Sequence, residues 1–116
     1  MINGAHVILY SKDAEADRAF FREVLKLACV DAHGGWLIFK LPPTELGVHP
    51  TEGSESHEFM FVCEDLVTTM AELTGKRIVF TKPVTQHPWG RVTAFRLPGG
   101  GEVGLYEPSH PVAATL

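Results

Sequence analysis

The sequence predicts an α+β fold built from two similar modules, each with the element order β-α-β-β-β. The first observation is a repeat: "AHVILYSKDA" (residues 5–14) and "SHEFMFVCEDL" (residues 56–66) each run from a histidine through apolar residues to an acidic helix start. The second is spacing, because His6 and His57 lie about half the chain apart. The third is that short apolar runs split by Gly and Pro follow each helix, as strands do.

Composition limits the class of protein. A chain of 116 residues suits a single domain, and we expect module 1 at about residues 3–51 and module 2 at about 55–110. The net charge is −4 and the Lys and Arg residues are scattered, which argues against a nucleic-acid partner. No apolar run approaches membrane-spanning length and no signal peptide is visible, so we expect a cytoplasmic protein with no membrane partner. Cys29 and Cys63 are then expected to be free thiols.

The first module begins with the strand-like segment "HVILYS". A helix is predicted over "DAEADRAFFREVLKL", where Asp13 is placed to cap the first turn. Its apolar residues recur at helical spacing on one face. Three further strand-length runs follow, separated by turn residues: "CVDA", "WLIFKL" and "ELGVH".

The second module repeats this order. "HEFMFVC" is predicted to be a strand and "DLVTTMAELTG" a helix, with Asp65 as its N-cap and Gly75 as its stop. The remaining predicted strands are "RIVFTKP", "RVTAFRL" and "EVGLYE", and the predicted turns between them are "QHPWG" and "PGGG".

Side chains alternate between the two faces of a strand, so parity predicts which residues face together. His57 shares a face with Phe59 and Phe61, while Met60 and Val62 are expected to point the other way, toward the second helix. Likewise, in the first module His6 shares a face with Tyr10, and Glu45 shares one with His49. Histidines and a carboxylate on faces that also bear aromatic residues are typical of a cavity lining.

These features resemble the vicinal oxygen chelate superfamily, which includes glyoxalase I, extradiol dioxygenases, fosfomycin-resistance thiol transferases and bleomycin-binding proteins. The resemblance spans about residues 3–110, from "GAHVILYSKDAEADRAFFREVLKL" to "PWGRVTAFRLPGGGEVGLYEP". It implies that the two modules form a curled, half-barrel mixed sheet around one cavity, with the helices outside. It also implies a small-molecule ligand or substrate and a homodimer, since relatives often form two-fold dimers.

In the metal-using members, the resemblance implies, ligands come from the first strand of each module, a position that His6 and His57 match. Glu45 matches the carboxylate that glyoxalase-like members place on the fourth strand. Imidazole and carboxylate ligands with open positions suit a divalent metal such as Fe, Mn, Ni or Zn.

The last ligand of the family is a glutamate, and Gly104 stands at that position. A glycine has no side-chain ligand, so another residue would have to replace it. His49 is the better candidate because it shares strand parity with Glu45. Glu107 qualifies only if the last strand bulges, because a regular strand points it away from the face of residue 104.

Two functions follow as expectations. The first is a metal-dependent small-molecule enzyme of the dioxygenase, lyase or glyoxalase-like type, in which the metal chelates adjacent substrate oxygens and no catalytic residue is assigned. The alternative is a metal-free protein that binds an antibiotic or another aromatic compound, as bleomycin-binding relatives do. Trp36 is expected in the core. The predicted substrate-binding residues are Trp89, Phe59, Phe61, Tyr106 and Arg91.

Overall fold

The computed structural model describes residues 6–45, 47–54 and 56–116. Two helices and six strands form within these ranges. In chain order they are α1 (Ala14–Glu23), β1 (Cys29–Asp31), β2 (Leu37–Phe39), β3 (Met60–Val62), α2 (Leu66–Gly75), β4 (Thr85–His87), β5 (Gly90–Arg96) and β6 (Glu102–Pro108).

Both helices start at the aspartates that the sequence predicts. The Asp13 carboxylate accepts a hydrogen bond from the Ala16 N–H at 3.1 Å, and the Asp65 carboxylate accepts one from the Thr68 N–H at 3.2 Å. Each bond satisfies an N–H that lacks a partner within the helix. Gly75 is the last residue of α2 rather than the residue beyond it.

The strands lie in two separate sheets. β1 and β2 form a small antiparallel pair, and the other four strands follow the order β3-β6-β5-β4. β3 is parallel to β6, while β5 is antiparallel to both its neighbours. The α+β class and the mixed sheet are therefore confirmed. One continuous half-barrel made of two complete modules is not confirmed, because β1 and β2 do not join the larger sheet.

One face of the larger sheet, which we call the helix face, forms the core. Phe95 is 1% exposed there, and Val103 and Leu105 lie beside it on β6. Phe20 and Phe21 of α1 and Leu66 of α2 pack against these side chains. The opposite face, which we call the Tyr106 face, includes Tyr106, Gly104 and Met60 according to the strand register.

The predicted first strand is not formed. Residues 6–10 lie in no strand, and Ile8 and Tyr10 are 61% and 94% exposed. An apolar, β-branched run becomes a strand only when a neighbouring strand pairs with its backbone. The predicted strand "ELGVH" is also absent at residues 45 and 47–49, and Leu46 lies outside the described residues.

In the second half, one predicted strand does not form, and one predicted turn includes the end of a strand. The segment "RIVFTKP" contributes a single bridge, Phe80 to Phe95, instead of a strand. Pro83 follows closely and has no N–H to donate, which ends pairing there. The predicted turn "QHPWG" instead contains the end of β4, and the β4–β5 hairpin reverses at Pro88 and Trp89.

The two faces of β3 are the reverse of the prediction. Phe61 pairs with Leu105 and packs in the core, whereas Met60 pairs with Gly104 on the Tyr106 face. Burial of large aromatic rings against the helices decides the orientation, because these rings bury more apolar area than Met60 and Val62. None of the helices in the described ranges has the length and apolar composition needed to cross a membrane.

Candidate functional site

Four ring side chains form a continuous group beside the β4–β5 turn, and we call them the aromatic row: His87, Trp89, Tyr106 and His110. The imidazole of His87 stacks parallel to the Trp89 indole, with ring centroids 4.5 Å apart and an interplanar angle of 3°. Trp89 meets Tyr106 edge-on at 5.4 Å, and Tyr106 lies 5.8 Å from His110. Trp89 is 39% exposed, so the row has an indole surface open to solvent.

The backbone holds Trp89 in place. Its carbonyl oxygen accepts a hydrogen bond from the Tyr106 hydroxyl at 3.2 Å and another from the Ser109 N–H at 2.9 Å. Gly90 follows with a φ of +151°, and a Cβ there would collide with the Glu107 carbonyl oxygen and lie 2.6 Å from the Tyr106 ring. Only glycine allows β5 to approach β6 this closely at the row.

Tyr106 is the buried member of the row, at 8% exposed. Burial raises the pKa of its hydroxyl, and the negative charge of Glu45 raises it further. The hydroxyl therefore stays protonated at neutral pH and remains a hydrogen-bond donor to Trp89. This bond holds the Tyr106 ring beside the Trp89 backbone.

Gly104, at the position where the family has its last metal ligand, lies beneath Met60. A Cβ at residue 104 would come within 3.0 Å of the Met60 sulfur and 3.2 Å of its Cβ, and would come closer still to its Cγ. The space that a longer side chain would need at residue 104 is thus filled by methionine. Sequence alone identifies the glycine but not the side chain that covers it.

Glu107 has other partners. Its carboxylate accepts hydrogen bonds from Arg91 Nε at 2.9 Å and Nη2 at 2.8 Å, and from the Leu66 N–H at 2.8 Å. These contacts, the Arg91 bonds first, lower the pKa of Glu107. β5 and β6 pair without interruption from Gly90 opposite Pro108 to Arg96 opposite Glu102.

The regular pairing removes the bulge on which the metal assignment of Glu107 depended. Glu107 instead joins the start of α2 to the sheet. The same ion pair occupies the guanidinium group of Arg91, which was predicted to bind substrate.

Glu45 links the C-terminal residues to the first half of the chain through hydrogen bonds. Its Oε2 atom accepts hydrogen bonds from the backbone N–H groups of Ala113 at 2.7 Å and Ala114 at 3.2 Å. His6, His49 and His57 lie exposed in segments without strand structure.

Within residues 6–45, 47–54 and 56–116, no three His, Cys, Asp or Glu side chains lie together where they could hold a metal ion. The predicted ligands therefore do not fit a metal in this arrangement. Their assignment stays a prediction that metal analysis tests.

The other predicted substrate-binding residues divide into two groups. Trp89 and Tyr106 lie together in the aromatic row. Phe59 and Phe61 lie 4.9 Å apart and pack with the core on the helix face.

His87 and His110 also belong to the row, although neither is among the predicted substrate-binding residues. The signal for His87 was present in the sequence, since it lies two residues before Trp89. Recognising it requires knowing that Thr85–His87 is a strand.

No family model matches the sequence, and no curated protein matches it significantly. Solved structures do resemble the fold. Lactoylglutathione lyase from Agrobacterium tumefaciens is 21% identical, with a TM-score of 0.63 over 90% of this chain and 92% of that chain. TnmS3, an antibiotic binding protein from Streptomyces sp. CB03234, is 24% identical, with a TM-score of 0.61 over 94% of this chain and 100% of that chain.

A third structure, from Sphaerobacter thermophilus, is a member of the glyoxalase/bleomycin resistance protein/dioxygenase superfamily. It is 21% identical, with a TM-score of 0.59 over 91% of this chain and 98% of that chain. The chain thus has the fold of this superfamily, as the sequence resemblance implied. The fold alone does not define an activity, because one fold serves many chemistries.

Proposed function

We propose that the protein binds a flat aromatic small molecule at the aromatic row without using a metal. The observation that supports this most is the exposed indole of Trp89, which already holds one planar ring, that of His87, in parallel contact at 4.5 Å. A ligand ring on the exposed indole surface would extend the same stacking. Aromatic contacts of this kind contribute about 0.5–1.5 kcal/mol beyond the area they bury.

The surroundings of the row favour such a ligand. Tyr106 and the Trp89 backbone are held by hydrogen bonds, so the row is ordered before binding and less conformational entropy is lost. His87 and His110 add polar nitrogen atoms at its two ends, which suit an aromatic compound with hydroxyl or carbonyl groups.

Two further observations support binding without a metal. The Met60 side chain covers Gly104, and the carboxylates of Glu45 and Glu107 are engaged in hydrogen bonds within the chain. In addition, a protein with a similar fold, TnmS3, is described as an antibiotic binding protein.

A thermal-shift screen tests the proposal. Metal-stripped protein is mixed with planar quinones, acridines, coumarins and aromatic antibiotics, and with their cyclohexyl analogues as controls. A compound at a hundredfold excess over its dissociation constant stabilises the folded state by about 2.7 kcal/mol. We expect planar compounds to raise the melting temperature and the cyclohexyl analogues to leave it unchanged.

The matched variants are Trp89→Ala and Trp36→Ala. Trp36 was expected in the core, but it is 64% exposed and contacts Arg18. It lies outside the aromatic row, so Trp36→Ala is a control for removing an indole from the surface. The proposal requires that Trp89→Ala abolishes the stabilisation and that Trp36→Ala retains it. Equal responses of the two variants, or a panel without any stabilising compound, would refute it.

A metal-dependent enzyme of the dioxygenase or lyase type is a second candidate. The equivalent positions of His6 and His57 in the repeated segments favour it, and lactoylglutathione lyase has a similar fold. Elemental analysis of protein purified without a histidine tag, followed by His6→Ala and His57→Ala, tests it. This candidate is supported if the parent binds a divalent metal and both variants lose it. If both variants bind the metal as the parent does, a site that uses His6 and His57 is excluded.

We also propose that two copies associate. Val7, Ile8 and Tyr10 place apolar surface in solvent, and the radius of gyration is 15.1 Å, against about 13 Å for a compact chain of about 100 residues. Burial of the 7–10 segment against a second copy would remove this surface from water. Light scattering should give a dimer mass that Ile8→Asp reduces to the monomer, and a monomeric parent would reject the proposal.

A further inference from the structure

A second concave region lies where α1, the end of α2 and the end of β5 meet, whereas the aromatic row lies at the opposite end of β5. Its floor is apolar and consists of Phe20, Ile78 and Leu97, each under 9% exposed. Its rim has two cationic residues that follow α2, Lys76 and Arg77, and Arg96 at the end of β5 also borders it. We call this region the basic groove.

The groove has the size of a small binding site. Its volume is about 300 Å³, at the lower end of the range for ligand pockets. An apolar floor with a few charged groups at one side is the usual composition of such sites. A ligand that fits it therefore has a short apolar body.

The charge of the groove differs from that of the whole chain. The protein has a net charge of −4, yet the groove is lined by three cations and no acidic residue. Within the described ranges, no carboxylate forms an ion pair with Lys76 or Arg77. Arg96 donates to the Gly100 carbonyl oxygen at 3.1 Å and lies 4.0 Å from Glu102. Two cations thus remain available to an anion in the groove.

Lys76 and Arg77 follow α2, where a cation interacts favourably with the negative end of the helix dipole. Arg96 shares the Tyr106 face by strand parity and lies beside Glu102, so Lys76 and Arg77 are the two cations available to the groove. The last helix carbonyls already accept hydrogen bonds, for example Leu73 from the Lys76 and Ile78 N–H groups, so they compete little for the cations.

Arg77 also has an unusual backbone conformation. Its φ is +65°, in the left-handed region that glycine or asparagine usually occupies after a helix. An arginine in this strained position supplies a charge to the groove that the usual residue would not. The conformation also provides a mild variant, because Arg77→Gly removes the charge while relieving the strain.

We propose that the basic groove binds a small amphiphilic organic anion, with its apolar body on the Phe20, Ile78 and Leu97 floor and its carboxylate or phosphate group at the cationic rim. Carboxylate and phosphate share the geometry that arginine recognises. The groove lies on a different part of the protein from the aromatic row, so this site does not depend on the function proposed above.

Titration of ¹⁵N-labelled full-length protein tests the site with three probes: decanoate and decyl phosphate below their micelle concentrations, and decan-1-ol below its solubility limit. We expect saturable shifts of the amide signals of residues 76–79 and 96–97 with one or both anions. The relative affinities of decanoate and decyl phosphate identify the preferred head group. Decan-1-ol should bind at least tenfold more weakly, because it lacks the charge.

The charge-removing variant is Lys76→Gln combined with Arg77→Gly, and Lys12→Gln combined with Lys40→Gln is the control with the same change in net charge outside the groove. The first should weaken anion binding about tenfold and the second should leave it unchanged. Trp89→Ala should also bind the anions like the parent, which separates this site from the aromatic row.

Three results would overturn the proposal. The first is equal binding of decan-1-ol and the anions, which would indicate apolar adsorption only. The second is unchanged anion affinity in the Lys76→Gln, Arg77→Gly variant while its amide spectrum remains that of a folded protein. The third is a set of shifts located at the aromatic row, or no shift at all with either anion.

Discussion

The two halves of the chain start from a similar sequence pattern and reach different structures. Residues 60–108 form a four-stranded sheet with two strands of seven residues each, β5 and β6. Residues 6–45 and 47–54 form α1 and a pair of three-residue strands, β1 and β2, and the segment 6–10 lies in none of the described strands. A repeated sequence pattern therefore does not ensure a repeated structure.

The difference arises from pairing partners. β5 and β6 are neighbours in sequence joined by the "PGGG" turn, so each has a local partner along its full length. The Gly99 N–H donates to the buried Asp17 carboxylate at 2.7 Å, which fastens that turn to α1. No strand among the described residues pairs with residues 6–10, and the apolar side chains of Val7, Ile8 and Leu9 are exposed to solvent.

Removing a core side chain from the second half is expected to have the largest effect on stability. Phe95→Ala removes a ring that is 1% exposed and should lower the free energy of unfolding by about 4 kcal/mol. Ile38→Ala on β2, where the side chain is 37% exposed, should cost about 1 kcal/mol. Urea unfolding of both variants checks the contrast, and equal losses would show that the halves are equally well packed.

Alanine substitutions at two glycines with positive φ are expected to give a smaller difference in stability. Gly90→Ala adds a Cβ that collides with the β6 backbone, whereas Gly34→Ala adds one with nothing within 4 Å. The first should cost about 3 kcal/mol, from strain and collision together, and the second about 1 kcal/mol from the left-handed backbone alone. Thermal unfolding measures both. A cost for Gly34→Ala as large as that for Gly90→Ala would contradict the described packing of β5 on β6.

The Met60 side chain over Gly104 predicts a still smaller effect on stability. Gly104→Ala should destabilise the protein by about 1 kcal/mol, because Met60 is flexible and shifts to admit the Cβ. In a Met60→Ala background the same substitution should cost nothing measurable, since its obstacle is gone. Additive costs in a double-mutant cycle would show that Met60 does not cover residue 104.

The Glu107 contacts predict a pH dependence. The folded-state pKa of Glu107 lies below its usual 4.5, so its stabilising effect is present above about pH 4.5 and is lost as pH falls through the folded value. The melting temperature of Glu107→Gln should lie below that of the parent near pH 7, and the gap should narrow below pH 4.5. A gap that stays constant from pH 7 to pH 3 would contradict the ionised contact with Arg91.

Helix positions were predictable because their signals are local. Asp13 and Asp65 cap the helices as the sequence indicates, and β5 and β6 follow from alternating residues beside a glycine-rich turn. The absence of the first strand was not predictable, since "HVILYS" has the composition of a strand and only a missing partner prevents one. The reversed face of β3 depends on which rings the helices bury, which parity alone does not determine.

The candidate site was predictable in part. Trp89 and Tyr106 were both predicted to bind substrate, and the structure brings their rings together. His87 was not predicted to be part of the site, because the end of its strand, β4, lies within the predicted turn "QHPWG". The roles of Glu45 and Glu107 as hydrogen-bond acceptors for distant backbone groups depend on contacts across the chain, which spacing in the sequence does not reveal.

The most direct test of metal-free aromatic binding uses the Trp36→Phe variant, in which Trp89 is the sole tryptophan and its fluorescence reports on the row. The variant is treated with a chelator and titrated with each planar compound of the panel. We predict a saturable change in Trp89 emission that added Zn²⁺ or Mn²⁺ does not alter and that cyclohexyl analogues do not produce. A Trp89 signal that stays constant across the panel, or that responds only after a divalent metal is added, would contradict the proposed function.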